Sequence, residues 1–253
     1  MTRLLGVVLG IGFTTTALGW DASGVRMEVP QEGHTASTTL TAVAGSNGGT
    51  TGLELGGGVR LGQWNVGVAL PFATYRGFDG GLGDIGNLAL SGRVSFGDAA
   101  TLQYAGLDVS AGLGKAYTWV NEGNDIWPTQ GVAAVYGLVG RGDTLNWGVE
   151  GRFGMYFTQG YPPFPERYTR LQVVGMLDAD IADMLGVVGE VSVAHWDVSP
   201  LDLAALLRLD PVAGLRVRTG LVMPLGTWAS VGPAESVYGL REVSWTLDVR
   251  LLQ

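Results

Sequence analysis

The residues of this chain that could do chemistry are charges placed at alternate positions in short, otherwise apolar runs. Glu54 and Arg60, Arg93, Asp108, Glu150 and Arg152, Arg170 and Asp178 each fall opposite the apolar set of their own run. The same holds for Glu190, Arg208, Arg216 and Arg218 and for Glu242, Asp248 and Arg250, and Arg141, at the end of its run, is counted with them. A nearly balanced set of cations and anions on one side of many strands can line a polar path whose row of arginines sets a mild anion preference. Alternatively, the same groups pair across the space they enclose and fill it. Both readings stand together if the space is narrow: a mostly filled interior with a thin path through it.

Nucleophilic chemistry has much less to stand on. The two histidines are His34 and His195, and Ser192 has the opposite parity to His195 along one run, so the pair would not share a face. There is no cysteine, which removes disulfides and thiolate metal sites, and two separated histidines do not make a metal site. Asp79 and Asp84 flank glycines without the spacing of a calcium loop. Not an enzyme, therefore: no catalytic, cofactor-binding or metal residue is assigned, and no cofactor is expected.

The elements that must position these charges are strands. Leu145 to Phe157 places Leu145, Trp147, Val149, Phe153, Met155 and Phe157 on one face, against Asn146, Glu150, Arg152 and Tyr156 on the other. That is period two, a strand with one apolar and one polar side. Twelve such strands are expected: 35–44, 51–61, 64–72, 85–96, 102–113, 131–141, 145–157, 168–180, 185–196, 203–209, 215–225 and 240–251. Two deviate from the pattern. Leu102 to Leu113 changes parity around Gly106, which points to a bulge or a displaced boundary, and Gly131 to Arg141 is apolar on both faces. Tight turns at 62–63, 97–101, 142–144, 181–184 and 210–214 alternate with longer links at 73–84, 114–130, 158–167 and 226–239, with shorter loops at 45–50 and 197–202. Short turns at one end and long loops at the other is the layout of an outer-membrane barrel. The long loops carry Tyr117, Trp119, Trp127, Tyr161, Phe164, Trp228 and Tyr238, read mainly as an interfacial aromatic girdle and secondarily as a stacking surface for a ligand.

Composition separates lipid from a protein core as the partner of the apolar faces. Charged residues are 15% of the chain, against roughly 25% in an average soluble domain. Lys115 is the only lysine, so the usual solvated surface is missing. A soluble lipocalin-like or sandwich protein accounts for the alternation but not for these features or the turn asymmetry. The net charge of −8 argues against nucleic acid as a partner. Arg3, the apolar stretch Leu4 to Phe13 and Ala17-Leu18-Gly19 have the form of an export signal ending near Trp20. No later run reaches the roughly 18 apolar residues of a transmembrane helix. The expected organisation is a signal peptide at 1–19, a periplasmic lead-in at 20–34, and an all-β, antiparallel, closed transmembrane barrel of about twelve strands at 35–253 in a bacterial outer membrane.

Three segments resemble a known family. Pro30-Gln31-Glu32-Gly33-His34, Val68-Ala69-Leu70-Pro71-Phe72 and Gly81-Leu82-Gly83-Asp84-Ile85, in that order, are similar to the outer-membrane proteins named for the meta-pathway of phenol degradation. The resemblance covers roughly residues 24–96 and implies an exported barrel passing small, often apolar or aromatic, molecules across the outer membrane. Such barrels usually end on an aromatic residue that the outer-membrane assembly machinery reads, and this chain departs from that pattern in ending Leu251-Leu252-Gln253. The expected function is a passive channel or transporter. The alternatives are a non-conducting structural barrel with partner-binding loops and an outer-membrane lipid hydrolase. The expected partners are outer-membrane lipid, a small-molecule solute and the assembly machinery.

Overall fold

A sheet whose strands each have an apolar and a polar face can satisfy both by rolling up, and this chain does so. The computed structural model describes residues 21–22, 27–29, 33–45, 48–77, 80–85, 87–98, 100–112, 130–157, 167–195, 198–230 and 243–252. Two short strands, β1 (Asp21–Ala22) and β2 (Glu28–Val29), pair antiparallel in a small sheet of their own. The remaining strands are β3 (His34–Gly45), β4 (Gly48–Leu61), β5 (Trp64–Gly77), β6 (Gly80–Ile85), β7 (Asn87–Gly97), β8 (Thr101–Gly112) and β9 (Gln130–Arg141). They continue with β10 (Leu145–Phe157), β11 (Arg167–Ala182), β12 (Leu185–His195), β13 (Val198–Val212), β14 (Leu215–Ser230) and β15 (Ser244–Leu252).

Neighbours pair antiparallel in chain order, and β15 returns to pair with β3, which closes the ring. Strands β6 and β7 act as one broken stave, because β5 pairs with β6 at Phe72–Gly77 and with β7 at Trp64–Ala69. The result is a closed antiparallel barrel of twelve staves, as expected from the sequence. Apart from β6, which pairs with β5 alone among the described residues, every stave is paired on both sides, the condition for a sheet to stand in lipid.

All five tight turns lie at the end where β3 begins and β15 finishes, since Leu252 pairs with Thr35 there. In the hairpin from Leu61 to Trp64, Gly62 takes φ 64°, and in the turn from Val212 to Leu215, Gly214 takes φ 79°. Residues with a Cβ rarely adopt such backbone angles.

Three sequence expectations are corrected. The link at 73–84 is not a long loop, because β5 and β6 continue as a hairpin to Gly77 and Gly80. β8 has no bulge at Gly106: its register against β7 and β9 is unbroken. Its apparent change of parity arises because Leu102 and Tyr104 point inward with Asp108, both nearly fully buried. Finally, β13 begins at Val198, so Asp202 belongs to the strand rather than to the loop before it.

The exterior is apolar and the interior mixed. Trp64, Phe96, Leu107, Tyr136, Trp147, Phe153, Leu177 and Trp245 all belong to the exposed set, Phe153 at 59%. On the inner face of the same strand, Glu150 has no exposed surface. In a soluble protein this pattern would be inverted.

Candidate functional site

The candidate site is the inner wall of the barrel, and its chemistry follows from which side chains the register brings side by side. Arg208 stands directly opposite Arg218, and Arg216 opposite Arg250. Two like charges about 4 Å apart repel by about 4 kcal/mol at an effective dielectric of 20, so this arrangement needs carboxylates between them. They are present. Arg208 Nε donates to Asp178 Oδ1 at 3.0 Å, and its terminal nitrogens pair with Asp180 and Asp210. Arg216 Nε donates to Asp210 Oδ1 at 2.8 Å. Arg218 Nη2 and Arg250 Nε both donate to Asp248 Oδ2, at 2.6 and 2.7 Å, while Thr39 donates its hydroxyl to Oδ1 at 2.9 Å. The arginines of β13 to β15 are therefore laced together near the short-turn end.

A second network crosses β7, β8 and β10. Arg93 Nη1 pairs with Asp108 Oδ1 at 2.5 Å, and Arg152 reaches Asp108 Oδ2 at 3.8 Å and Glu150 Oε1 at 2.5 Å. Tyr104 donates its hydroxyl to Glu150 Oε2 at 2.7 Å. Gln172 donates to Ser192 at 2.9 Å and accepts from Arg170 at 3.4 Å, and Asn65 donates to Ser95 at 2.8 Å.

Beside these charges lies an apolar patch that the sequence pattern did not reveal. Leu102, Tyr104, Val135, Val139, Val174, Met176, Val188 and Leu206 point inward from β8, β9, β11, β12 and β13 and form one buried cluster with Met27. Met27 precedes the barrel in sequence, yet it is fully buried. Its backbone N–H donates to Glu190 Oε2 at 3.1 Å, and a Cβ on Gly148 would run into its Cε and its Sδ, the latter at 2.8 Å. Part of the stretch expected as a periplasmic lead-in thus enters the barrel. The cause is elementary: an unbranched thioether gains about 1.5–3 kcal/mol by burial, and Glu190 accepts the hydrogen bond that its amide would otherwise lose with water.

Among the sequence candidates, Arg93, Glu150, Arg170, Asp178, Glu190, Arg208, Arg218, Asp248 and Arg250 are buried on the inner face. Glu54, Arg60, Asp108, Arg152 and Arg216 lie there half-buried, Arg141 is exposed at the short-turn mouth, and Glu242 lies outside the described residues. Sequence reasoning missed Asn65, Ser95, Asp180, Asp202 and Asp210 as partners. Parity with Asp178 would have found Asp180 within its strand as drawn, and would have found Asp202 and Asp210 had their strand been drawn to full length. Met27 carried no such signal, because nothing in its neighbourhood encodes a contact with β10 and β12. Of the loop aromatics, Trp228 falls within β14 and the others lie outside the described residues. Ser192 is buried inside and His195 is exposed outside, so the two do not meet.

No protein-family model matches the chain, and no curated protein is similar to it in sequence. Solved structures are similar in fold. The COG4313 outer membrane channel from Pseudomonas putida F1 superposes with a TM-score of 0.63 over 89% of this chain and 97% of its own, at 9% identity. The NanC porin gives 0.59 over 87% and 100%, at 11% identity, and the KdgM porin 0.53 over 87% and 99%, at 8% identity. This chain has the fold of bacterial outer-membrane porins, and with its apolar girth it is an outer-membrane β-barrel.

Proposed function

We propose that this barrel is a narrow passive channel for small molecules across the outer membrane. The observation that carries this reading is the inner wall: buried charges on seven staves, arranged as ion pairs rather than as a dry core, inside a cylinder whose outside is apolar. A purely structural barrel has no need of ionised groups there, since replacing buried ion pairs with apolar residues is often neutral or stabilising. The inner-face residues Glu54, Arg60, Arg93, Asp108, Glu150, Arg152, Arg170, Asp178, Glu190, Arg208, Arg216, Arg218, Asp248 and Arg250 are then the lining of the path, and Glu242 would extend it. Near-equal numbers of cations and anions imply weak charge selectivity. The apolar patch widens the accepted solutes to those with an apolar body, which agrees with the resemblance of residues 24–96 to the meta-pathway barrels. That family assignment, the export signal at 1–19 and the division into lead-in and barrel at residue 35 belong to the same proposal. The KdgM porin has also been solved in complex with disordered oligogalacturonate. The apolar patch of this lumen argues against a sugar acid of that kind here.

The competing reading is a barrel that conducts nothing, and the specific observation in its favour is Met27 seated in the interior. Planar-bilayer conductance and liposome swelling separate the two. A channel gives discrete current steps in salt and size-dependent swelling. Liposomes carrying the folded protein but indistinguishable from empty ones would leave the structural reading standing.

A further inference from the structure

We infer that the place occupied by Met27 is a solute-binding site, and that Met27 holds it as a stand-in for a small molecule with an apolar body and a hydrogen-bond-donating head. This rests on the channel reading above and specifies which solutes the channel takes. The seat has the make-up of a ligand pocket: mostly apolar walls with a few convergent polar groups. Val174, Met176 and Val188 line it, Gly148 supplies the depth that a side chain there would fill, and Glu190 supplies one acceptor. What Met27 presents to it is an unbranched apolar chain and a single N–H. A small alcohol or amine presents the same two features. A carboxylate of equal length does not, because it brings only acceptors toward the Glu190 carboxylate. Met27 meets the wall through its side chain and its N–H, and among the described residues β1 and β2 pair with each other and not with the wall. A competitor that offers the same two features contends for the same contacts.

The chain has no cysteine, so Met27→Cys creates a single reporter thiol. The full-length variant in liposomes is treated with a small water-soluble thiol reagent, alone and with hexan-1-ol, hexylamine, methyl pentanoate or hexanoate near neutral pH. The expected result is a slow reaction alone, a rise of about tenfold with the alcohol and the amine, as a population shift by a saturating competitor gives, and no rise with the ester or the carboxylate. Gly148→Val combined with Met27→Cys removes the depth of the seat, and its thiol should react fast with no solute present. A thiol whose rate ignores all four compounds, or that responds to hexanoate as strongly as to hexylamine, overturns the assignment, as does a Gly148→Val background that leaves it slow. Conductance keeps the two failures apart. If the wild type conducts while the thiol ignores every solute, the seat is wrong and the channel stands. If neither the wild type nor Met27→Gly conducts, the channel reading falls whatever the thiol does.

Discussion

Asp248 stands between Arg218 and Arg250 and is almost completely buried, as is Arg218. Removing one member of a buried pair leaves charge without compensation and typically costs about 3–5 kcal/mol. Asp248→Asn is therefore expected to lower the unfolding free energy of the lipid-inserted barrel by about that amount in urea titrations. A loss indistinguishable from zero would mean that the two arginines are solvated. On the other side of the wall the sign of polarity reverses. Phe153, exposed toward lipid, should cost about 2–4 kcal/mol when replaced by Arg if it lies near mid-depth, and well under half of that when replaced by Leu. Equal effects of the two substitutions would place Phe153 outside the hydrocarbon. Individual residues were the most legible scale: alternation put Glu150 and Trp147 on opposite faces, the scarcity of charge and the turn asymmetry gave the apolar face to lipid, and a one-residue slip would exchange every side chain between the inward and the lipid faces.

Strands were less legible, and β8 shows why. Its inner face carries Leu102 and Tyr104 as well as Asp108, so the rule that the apolar side is the lipid side breaks down where the lumen has an apolar patch of its own. The same patch explains β9, whose Val135 and Val139 are buried inward while Val132 and Tyr136 are exposed outward. Glycines make room for this interior. The phenol end of Tyr104 lies against Gly137, where a Cβ would collide with it, and its hydroxyl donates to Glu150. Gly137→Ala is expected to destabilise the barrel by about 1–3 kcal/mol, the usual cost of overpacking. In combination with Tyr104→Ala the loss should fall well short of the sum of the two single losses. A double-mutant cycle gives the coupling directly, and strict additivity would show that the two residues do not touch. At the turns, Gly214→Ala forces a side chain into positive φ and toward the Leu252 carbonyl; about 1 kcal/mol of destabilisation is expected in the same urea assay.

At the scale of the molecule, the number of staves and the clustering of tight turns at one end were readable, because both follow from local pattern and chain connectivity. What sits inside the cylinder was not. Met27 reaches Glu190 across 163 residues of sequence, and the arginine and aspartate clusters depend on a register that no single strand encodes. All of it presumes a cylinder that is oily outside and polar within. The direct test is a scan of single cysteines along residues 145–157, spin-labelled one at a time in the lipid-reconstituted protein, with collision rates measured for oxygen and for a water-soluble nickel chelate. Oxygen accessibility should peak at Trp147, Val149, Phe153 and Met155, with minima at Gly148, Glu150 and Arg152. A profile without a period of two, or one with its maxima at Glu150 and Arg152, would contradict the barrel described here.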